Sequence, residues 1–177
     1  EQLEQSYDNL RDSWQRIVVK TLPTAVEIIS NLNDQQINDF FDMLIEKEGD
    51  DAKEIESGTS VRTLEEREAY VSEKMVGVIG KLNEEQKTLI AQWAQRMEPT
   101  KEFSLVQAIK WRTRMQAAAA QRHDKQQLEK NLMVLFANPN QLRSPRYRRI
   151  IEKNKHLVMQ LLFDLNQTLT NQQRSKL

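Results

Sequence analysis

Two histidines and several neighbouring carboxylates are the residues of this 177-residue sequence that could bind a metal or transfer a proton. His123 and His156 are far apart and lack a third ligand at metal-binding spacing. Consecutive acids such as Asp50 and Asp51 point in different directions on a helix, so they do not form the facing pair that acid–base catalysis requires. The sequence has no cysteine, no glycine-rich phosphate loop and no nucleophile elbow. It therefore predicts a protein that is not an enzyme and that holds no metal or cofactor.

A tryptophan and two groups of basic residues are the candidates for a binding surface. Trp111 lies beside Arg112 and Arg114, outside the main apolar stripe of its segment. It is either a half-buried packing residue or an aromatic side chain in a basic groove, open to stacking or to a partner's apolar group. Trp14 and Trp93 are predicted to be core residues. The second basic group consists of Arg143, Arg146, Arg148, Arg149, Lys153 and Lys155.

The net charge of the sequence is zero, but the charges are distributed unevenly. Residues 1–60 carry 14 acidic and 5 basic side chains, whereas residues 101–177 carry 5 acidic and 15 basic ones. Either the acidic N-terminal part folds against the basic C-terminal part, or the basic part presents a surface to an anionic partner. The arginines of 143–149 cannot all be buried unpaired, because unpaired charge is costly inside a protein. We expect some of them to pair with acids of residues 1–60 and others to face solvent.

Helical periodicity extends over nearly the whole sequence, and the few glycine and proline residues argue against sheet folds. Apolar spacing predicts a first helix over residues 3–20, interrupted or restarted at Pro23, and a later helix that stops near Gly58. Residues 101–137 are predicted as one long helix, because an alanine run favours helix at its centre. These patterns predict an all-α fold: an elongated bundle of about six to eight helices joined by capped corners, in a single domain over residues 1–177.

Helix starts are marked by a repeated motif, Leu-[Asn/Thr]-x-x-Gln, and by related cap sequences. The Asn or Thr side chain accepts a hydrogen bond from the N3 amide, and the Gln side chain accepts one from the amide of the cap residue. We interpret the motif as a corner between two helices. Ser144 and Pro145 are predicted as the N-cap and first residue of the last long helix. The other predicted caps are Asn33 with Gln36, Thr63 with Glu66, Asn83 with Gln86, and Thr170 with Gln173.

Three stretches of the sequence resemble an uncharacterised family of Gram-negative envelope lipoproteins: residues 67–97, Trp111-Arg112 and residues 142–173. That family has a helix, an L-T-P-x-Q corner and a Trp-bearing helix, followed by an L-R-S-P-x-Y-R box and a leucine-rich helix that ends at another corner. Two corners here carry Asn in place of Thr and lack the following Pro. The resemblance implies a periplasmic protein anchored to a membrane by a lipid on a cysteine upstream of residue 1, and it implies no known activity. The box consists of Leu142, Arg143, Ser144, Pro145, Tyr147 and Arg148.

The corners are also similar to those of the Spy/CpxP group of periplasmic helical proteins, some of which are ATP-independent chaperones. Three functions follow from these patterns. The favoured one is a non-enzymatic, lipid-anchored envelope protein that binds another protein. The alternatives are a Spy-like chaperone of unfolded clients and a nucleic-acid-binding module that uses the basic C-terminal half. The neutral total charge and the lack of a recognition motif argue against the last. The partner surface is assigned to Trp111, Arg112, Arg114, Arg143, Arg146, Arg148 and Arg149.

Overall fold

The computed structural model describes residues 2–59, 62–137 and 139–176, and within these ranges the chain forms α-helices and no β-strand. The predicted all-α class is confirmed. A short 3-10 helix, Pro139–Leu142, precedes the last long helix. None of the described helices is both long and apolar enough to cross a membrane. The α-helices are α1 (Gln2–Asn31), α2 (Asp34–Glu56), α3 (Leu64–Ile79), α4 (Glu84–Arg96), α5 (Lys101–Ala120), α6 (Lys125–Ala137), α7 (Pro145–Gln167) and α8 (Asn171–Arg174).

The chain divides into two compact units, each assembled from two separate stretches. The first unit consists of residues 1–56 and 102–144, and the second of residues 57–101 and 145–177. The chain therefore leaves the first unit after α2 and returns to it at α5. The sequence patterns predict a single domain, which stays a prediction. Each unit of the structure has a hydrophobic cluster of its own.

The core of the first unit is built by α1, α2, α5 and α6, with α6 packed along α1. Leu128 and Leu132 of α6 are fully buried there. Trp14 is half exposed, so the prediction that it lies in the core is wrong. Its indole N–H donates to the carbonyl of Phe136 at 3.2 Å, a bond that holds the ring at the edge of the cluster. The buried members of the cluster are Leu22, Val26, Phe41, Met115, Ala118, Ala119, Leu128, Leu132, Leu135 and Leu142.

The core of the second unit lies where α4 packs against α3 and α7. Two side chains close the C-terminal end of α4. The Arg67 guanidinium donates to the carbonyls of Ala94 and Met97, at 2.6 and 3.0 Å. The buried amide of Asn154 donates to the carbonyl of Glu98 at 2.8 Å and accepts from its N–H at 3.1 Å. These bonds satisfy backbone groups that a helix end leaves without partners. The cluster contains Ile79, Leu82, Ile90, Leu161 and Leu165.

The first helix differs from its prediction, because Pro23 lies inside one continuous α1 and does not end it. Proline removes the hydrogen bond to the carbonyl four residues earlier, here that of Val19. Both residues lie on the exposed side of α1, where water can hydrate the freed carbonyl. The helix can therefore continue through a residue that would break it in a buried position. The predicted stop near Gly58 is confirmed, since α2 ends at Glu56 and Gly58 has a positive φ of 74°.

The long helix predicted over residues 101–137 is wrong, because a turn at 121–124 divides it into α5 and α6. The carboxylate of Asp124 accepts the amide of Gln127 at 3.0 Å and so caps the start of α6. Arg122 folds back in the turn and becomes buried. Asp124 and Gln127 have the same spacing as the cap residue and the Gln of the corner motif, with Asp in the cap position. A motif that also allowed Asp at the cap would have predicted this helix start. The division allows α6 to turn back along α1.

Candidate interaction surface

Four of the predicted helix starts have the reciprocal hydrogen bonds of a capping box. These bonds measure between 2.8 and 3.2 Å at the pairs Asn33/Gln36, Thr63/Glu66, Asn83/Gln86 and Thr170/Gln173. Each pair satisfies two amides at a helix start, so the chain can turn sharply there. The four capped corners thus fix where α2, α3, α4 and α8 begin, and therefore which residues lie on each face of these helices.

Two of these corners bind each other in the second unit. The amide of Gln86 donates to the side-chain oxygen of Gln173 at 2.9 Å and to the carbonyl of Thr168 at 3.2 Å. The amide of Gln173 donates to the side-chain oxygen of Gln86 at 3.1 Å and to the carbonyl of Lys81 at 2.9 Å. The two acceptor carbonyls belong to equivalent positions, two residues before each cap. The pattern is reciprocal, both glutamines are buried, and the corners join α4 to the end of α7.

The L-R-S-P-x-Y-R box forms the start of α7. Pro145 is the first residue of the helix, as predicted, and Ser144 directly precedes it. The boundary between the two units falls between these two residues. Tyr147 is buried on the inner face of α7, together with Ile150 and Asn154. The box therefore orients α7: one face is packed into the second unit and the opposite face is turned outward.

Removing the buried ring of Tyr147 should destabilise the protein far more than removing the hydroxyl group of Ser144, which precedes α7. We expect Tyr147→Ala to lower the free energy of unfolding by about 3–5 kcal/mol, because it leaves a large cavity. Ser144→Ala should cost about 1 kcal/mol, the usual value of an N-cap side chain. Denaturant unfolding of both variants measures the difference. Equal costs would show that the box does not use its tyrosine for packing.

The residues of the predicted partner surface are divided between the two units. Trp111 is half-buried in the first unit, where its ring meets that of Phe136 edge to face at a centroid distance of 5.9 Å. Arg112 is largely buried and forms an ion pair with Glu48, with nitrogen–oxygen distances of 3.0 and 2.8 Å. Arg114 is exposed. Trp111 and Arg112 thus contribute to the packing of α5 rather than to an open groove.

The arginines of the box occupy different environments along the chain. Arg143 is half-buried at the end of the first unit, whereas Arg146, Arg148 and Arg149 are exposed at the start of α7. Within the described ranges, Arg148 and Arg149 form no ion pair with a carboxylate. Acids of residues 1–60 pair instead with three other cations of the basic half. These pairs are Glu48 with Arg112, Asp34 with Arg122, and Glu27 with Lys125.

The outward side of α7 carries a continuous stripe of side chains at alternating spacings of three and four residues. We call Arg149, Glu152, His156, Met159 and Phe163 the α7 outer stripe. All are exposed except Met159, which is half-buried, and Phe163 is 55% exposed. A carboxylate oxygen of Glu152 lies 3.9 Å from the ammonium nitrogen of Lys155. The stripe changes from a basic end at Arg149 to an apolar end at Phe163, so it suits a partner with an acidic end and an apolar end.

Arg122 has a structural role in the first unit that its residue type and spacing did not indicate. Its buried guanidinium donates to the carbonyl of Leu32 at 3.0 Å, binds the carboxylate of Asp34 and contacts the carbonyl of Ala119. It thus ties the α1–α2 corner to the α5–α6 turn. No short motif contains both partners, because they are about ninety residues apart in the chain, and only tertiary packing brings them together.

An ion pair on the surface of the first unit gives Glu27 an unusual pKa. The hydrogen bond from Lys125, 2.5 Å long, holds the pKa of this carboxyl below its ordinary value, with further contributions from Asn31 and from the charge of Lys125. A lowered pKa means that the pair contributes stability at pH values above the unfolded-state pKa. That contribution is lost as the pH falls through the lower folded-state pKa.

The Glu27 pKa should respond to removal of its partner. In an NMR titration of the side-chain carboxyl, we expect Lys125→Met to raise the pKa of Glu27 towards the ordinary value of a glutamate. The same change should leave the pKa of Glu84 as it was, because a hydrogen bond from Lys87, not from Lys125, holds that pKa below its ordinary value. An unaltered Glu27 titration in the variant would show that the pair does not persist in solution.

The fold and its exposed helical faces define an all-α protein with a candidate protein-binding surface on α7. The chain belongs to the family of unknown function DUF6279, whose model matches residues 1–148. The match ends at Arg148, the last residue of the L-R-S-P-x-Y-R box. Comparisons with curated proteins and with solved structures give no match.

Proposed function

We propose that this protein is a non-enzymatic, lipid-anchored protein of the Gram-negative envelope that binds another protein through the α7 outer stripe. One observation carries the proposal: the stripe is exposed while the opposite face of α7, from Tyr147 to Leu165, is buried. Arg148 and Arg149 add two guanidinium groups that have no carboxylate partner in the described ranges. A desolvated arginine or aromatic side chain is typical of the residues that dominate binding at protein interfaces.

The location is supported by the resemblance in the L-R-S-P-x-Y-R box and the capped corners. Fractionation of the full-length protein should place it with membranes, and replacement of the upstream anchoring cysteine should release it to the periplasm. A cytoplasmic location would contradict the proposal.

The binding surface can be tested in cells by photo-crosslinking from a reactive residue in place of His156. We expect a protein adduct that disappears when Arg148→Glu and Arg149→Glu are introduced. Lys110→Glu with Lys130→Glu is a matched control, since it reverses two exposed charges, one on α5 and one on α6. An adduct that survives the α7 change, or no adduct at all, would contradict binding through this stripe.

Chaperone activity is a second candidate, favoured by large apolar side chains that stay exposed in both units. Ile17, Met43 and Phe163 are each more than half exposed. Scattered apolar side chains of this kind can hold unfolded chains weakly, as methionine-containing surfaces do. The aggregation of a denatured model protein, with and without an equimolar amount of this chain, tests the idea. Unchanged aggregation would count against it.

Nucleic-acid binding receives less support from the basic half of the chain. Arg112, Arg122, Lys125 and Lys153 are paired with carboxylates, so fewer cations are left for phosphate. A shift assay with DNA or RNA at two salt concentrations tests this alternative. Micromolar binding that weakens steeply with salt would revive it.

A further inference from the structure

A tyrosine with two cations against its ring is exposed at α3, in the second unit. The guanidinium carbon of Arg62 lies over the ring of Tyr70, 3.9 Å from its centroid. The ammonium nitrogen of Lys74 lies 5.4 Å from the same centroid. All three residues are exposed, and Tyr70 is 43% exposed. We call Arg62, Tyr70 and Lys74 the Tyr70 cluster.

The two cations of the Tyr70 cluster have no carboxylate partner within the ranges that the structure describes. Acidic side chains are present on α3, but none of them binds Arg62 or Lys74. The carboxylate of Glu66 accepts the backbone amide of Thr63 at 2.8 Å, as part of the capping box. Glu73 is exposed and forms no ion pair in the described chain. The positive charges of the cluster are therefore open to an external anion.

The position of Arg62 over the ring prepares its guanidinium for binding a carboxylate. A guanidinium over an aromatic face keeps the N–H groups at its edge available, and this planar edge matches the two oxygens of a carboxylate. Contact with the ring also restricts the arginine side chain, so less conformational freedom is lost when an anion binds. Lys74 adds a second charge beside the same ring, and its ammonium group can donate in several directions.

The surface of α3 after Lys74 has room for a chain that lies along the helix. Gly77 follows Tyr70 by two helical turns and lies on the same side of α3. A Cβ added at Gly77 would have no contact within 4 Å beyond its own turn of helix. Val78 is 54% exposed. Neither residue is charged, so a bound segment can extend past the cluster without desolvating an ion.

We propose that the Tyr70 cluster binds an acidic segment of a partner protein, with one carboxylate at Arg62 and a second at Lys74. Two cations without a partner of their own complement two carboxylates, and tyrosine and arginine are typical of the residues that dominate protein interfaces. The cluster shares no residue with the α7 outer stripe, so this second site does not depend on the proposed function. Its binding should weaken with salt, because the charges are exposed.

Fluorescence anisotropy of a labelled peptide that alternates Glu and Ser tests the site, with a peptide of Gln and Ser as the neutral control. With the purified chain we expect saturable binding of the acidic peptide, with a dissociation constant below ~1 mM at low salt. Arg62→Gln with Lys74→Gln should raise that constant at least ~5-fold. Arg96→Gln with Lys110→Gln removes one exposed arginine and one exposed lysine elsewhere, and should leave the constant unchanged.

Two substitutions of Tyr70 separate its ring from its hydroxyl group. Tyr70→Phe keeps the ring against Arg62 and should bind the acidic peptide as the unaltered chain does. Tyr70→Leu removes the ring and should weaken binding nearly as much as the loss of Arg62 and Lys74, although both charges remain. Because Tyr70 is exposed, we expect both variants to keep the circular dichroism spectrum of the unaltered chain.

The inference fails if the acidic peptide does not bind, or if Arg62→Gln with Lys74→Gln leaves its binding unchanged. An equal loss in Arg96→Gln with Lys110→Gln would also overturn it, because binding would then follow the total charge of the chain. Binding through Arg62 and Lys74 to vesicles of anionic phospholipid, but not to the peptide, would assign the cluster to a membrane and overturn it too. Photo-crosslinking through His156 does not involve the cluster, so either proposal can fail while the other stands.

Discussion

Replacing Gln86 by Leu is expected to lower the free energy of unfolding by about 2–5 kcal/mol. Gln86 is fully buried and makes four hydrogen bonds: two to Gln173, one to the carbonyl of Thr168 and one to the amide of Asn83. Leucine fills a similar volume but leaves those groups buried without partners. Denaturant unfolding followed by circular dichroism measures the loss.

The matched control for this change is Gln36→Leu at the α1–α2 corner. Gln36 accepts the same capping bond, from the amide of Asn33 at 3.0 Å, but its side chain is exposed. Water can replace its bond, so we expect a cost of at most about 1 kcal/mol. The double variant Gln86→Leu with Gln173→Leu should cost less than the sum of its single changes, because each glutamine is the other's partner. Equal costs for Gln86→Leu and Gln36→Leu would contradict the contact between the two corners.

Replacing Arg112 by Met is expected to destabilise the protein by about 2–4 kcal/mol. The side chain of Glu48 is nearly buried, and the change removes the cation beside its carboxylate. Most of the desolvation cost of that carboxylate is then uncompensated. It also removes the bond from Arg112 to the amide oxygen of Gln116, 2.9 Å long. Thermal and denaturant unfolding of the variant measure the effect.

The double variant Glu48→Leu with Arg112→Met separates the ion pair from the packing around it. Because an apolar pair of similar volume avoids the desolvation cost, we expect the double variant to approach the stability of the unaltered protein. Lys125→Met removes the exposed partner of Glu27 and should change stability little, since water screens that pair. A double variant as unstable as Arg112→Met alone would mean that the destabilisation comes from lost packing of the arginine stem.

Part of the candidate site was predictable from sequence, and the reason is local chemistry. Pro145 at the first position of α7 and the buried Tyr147 follow from helix-start preferences and apolar periodicity. The role of Arg112 was not predictable, because its partner Glu48 lies in another helix, 64 residues earlier. Charge counts indicated that the acidic and basic parts would pair, but they could not indicate which cations would do so.

The sequence by itself determined the helical class and most of the helix starts, because capping bonds and apolar spacing act within a few residues of the chain. It did not determine that Pro23 would be tolerated, since tolerance depends on which side of α1 faces water. Nor did it determine the turn at 121–124, where the burial of Arg122 against the α1–α2 corner accompanies the break in an alanine-rich helix. The pairing of the corners at Gln86 and Gln173 also required the tertiary structure. Related motifs far apart in sequence become partners only when packing removes both from water.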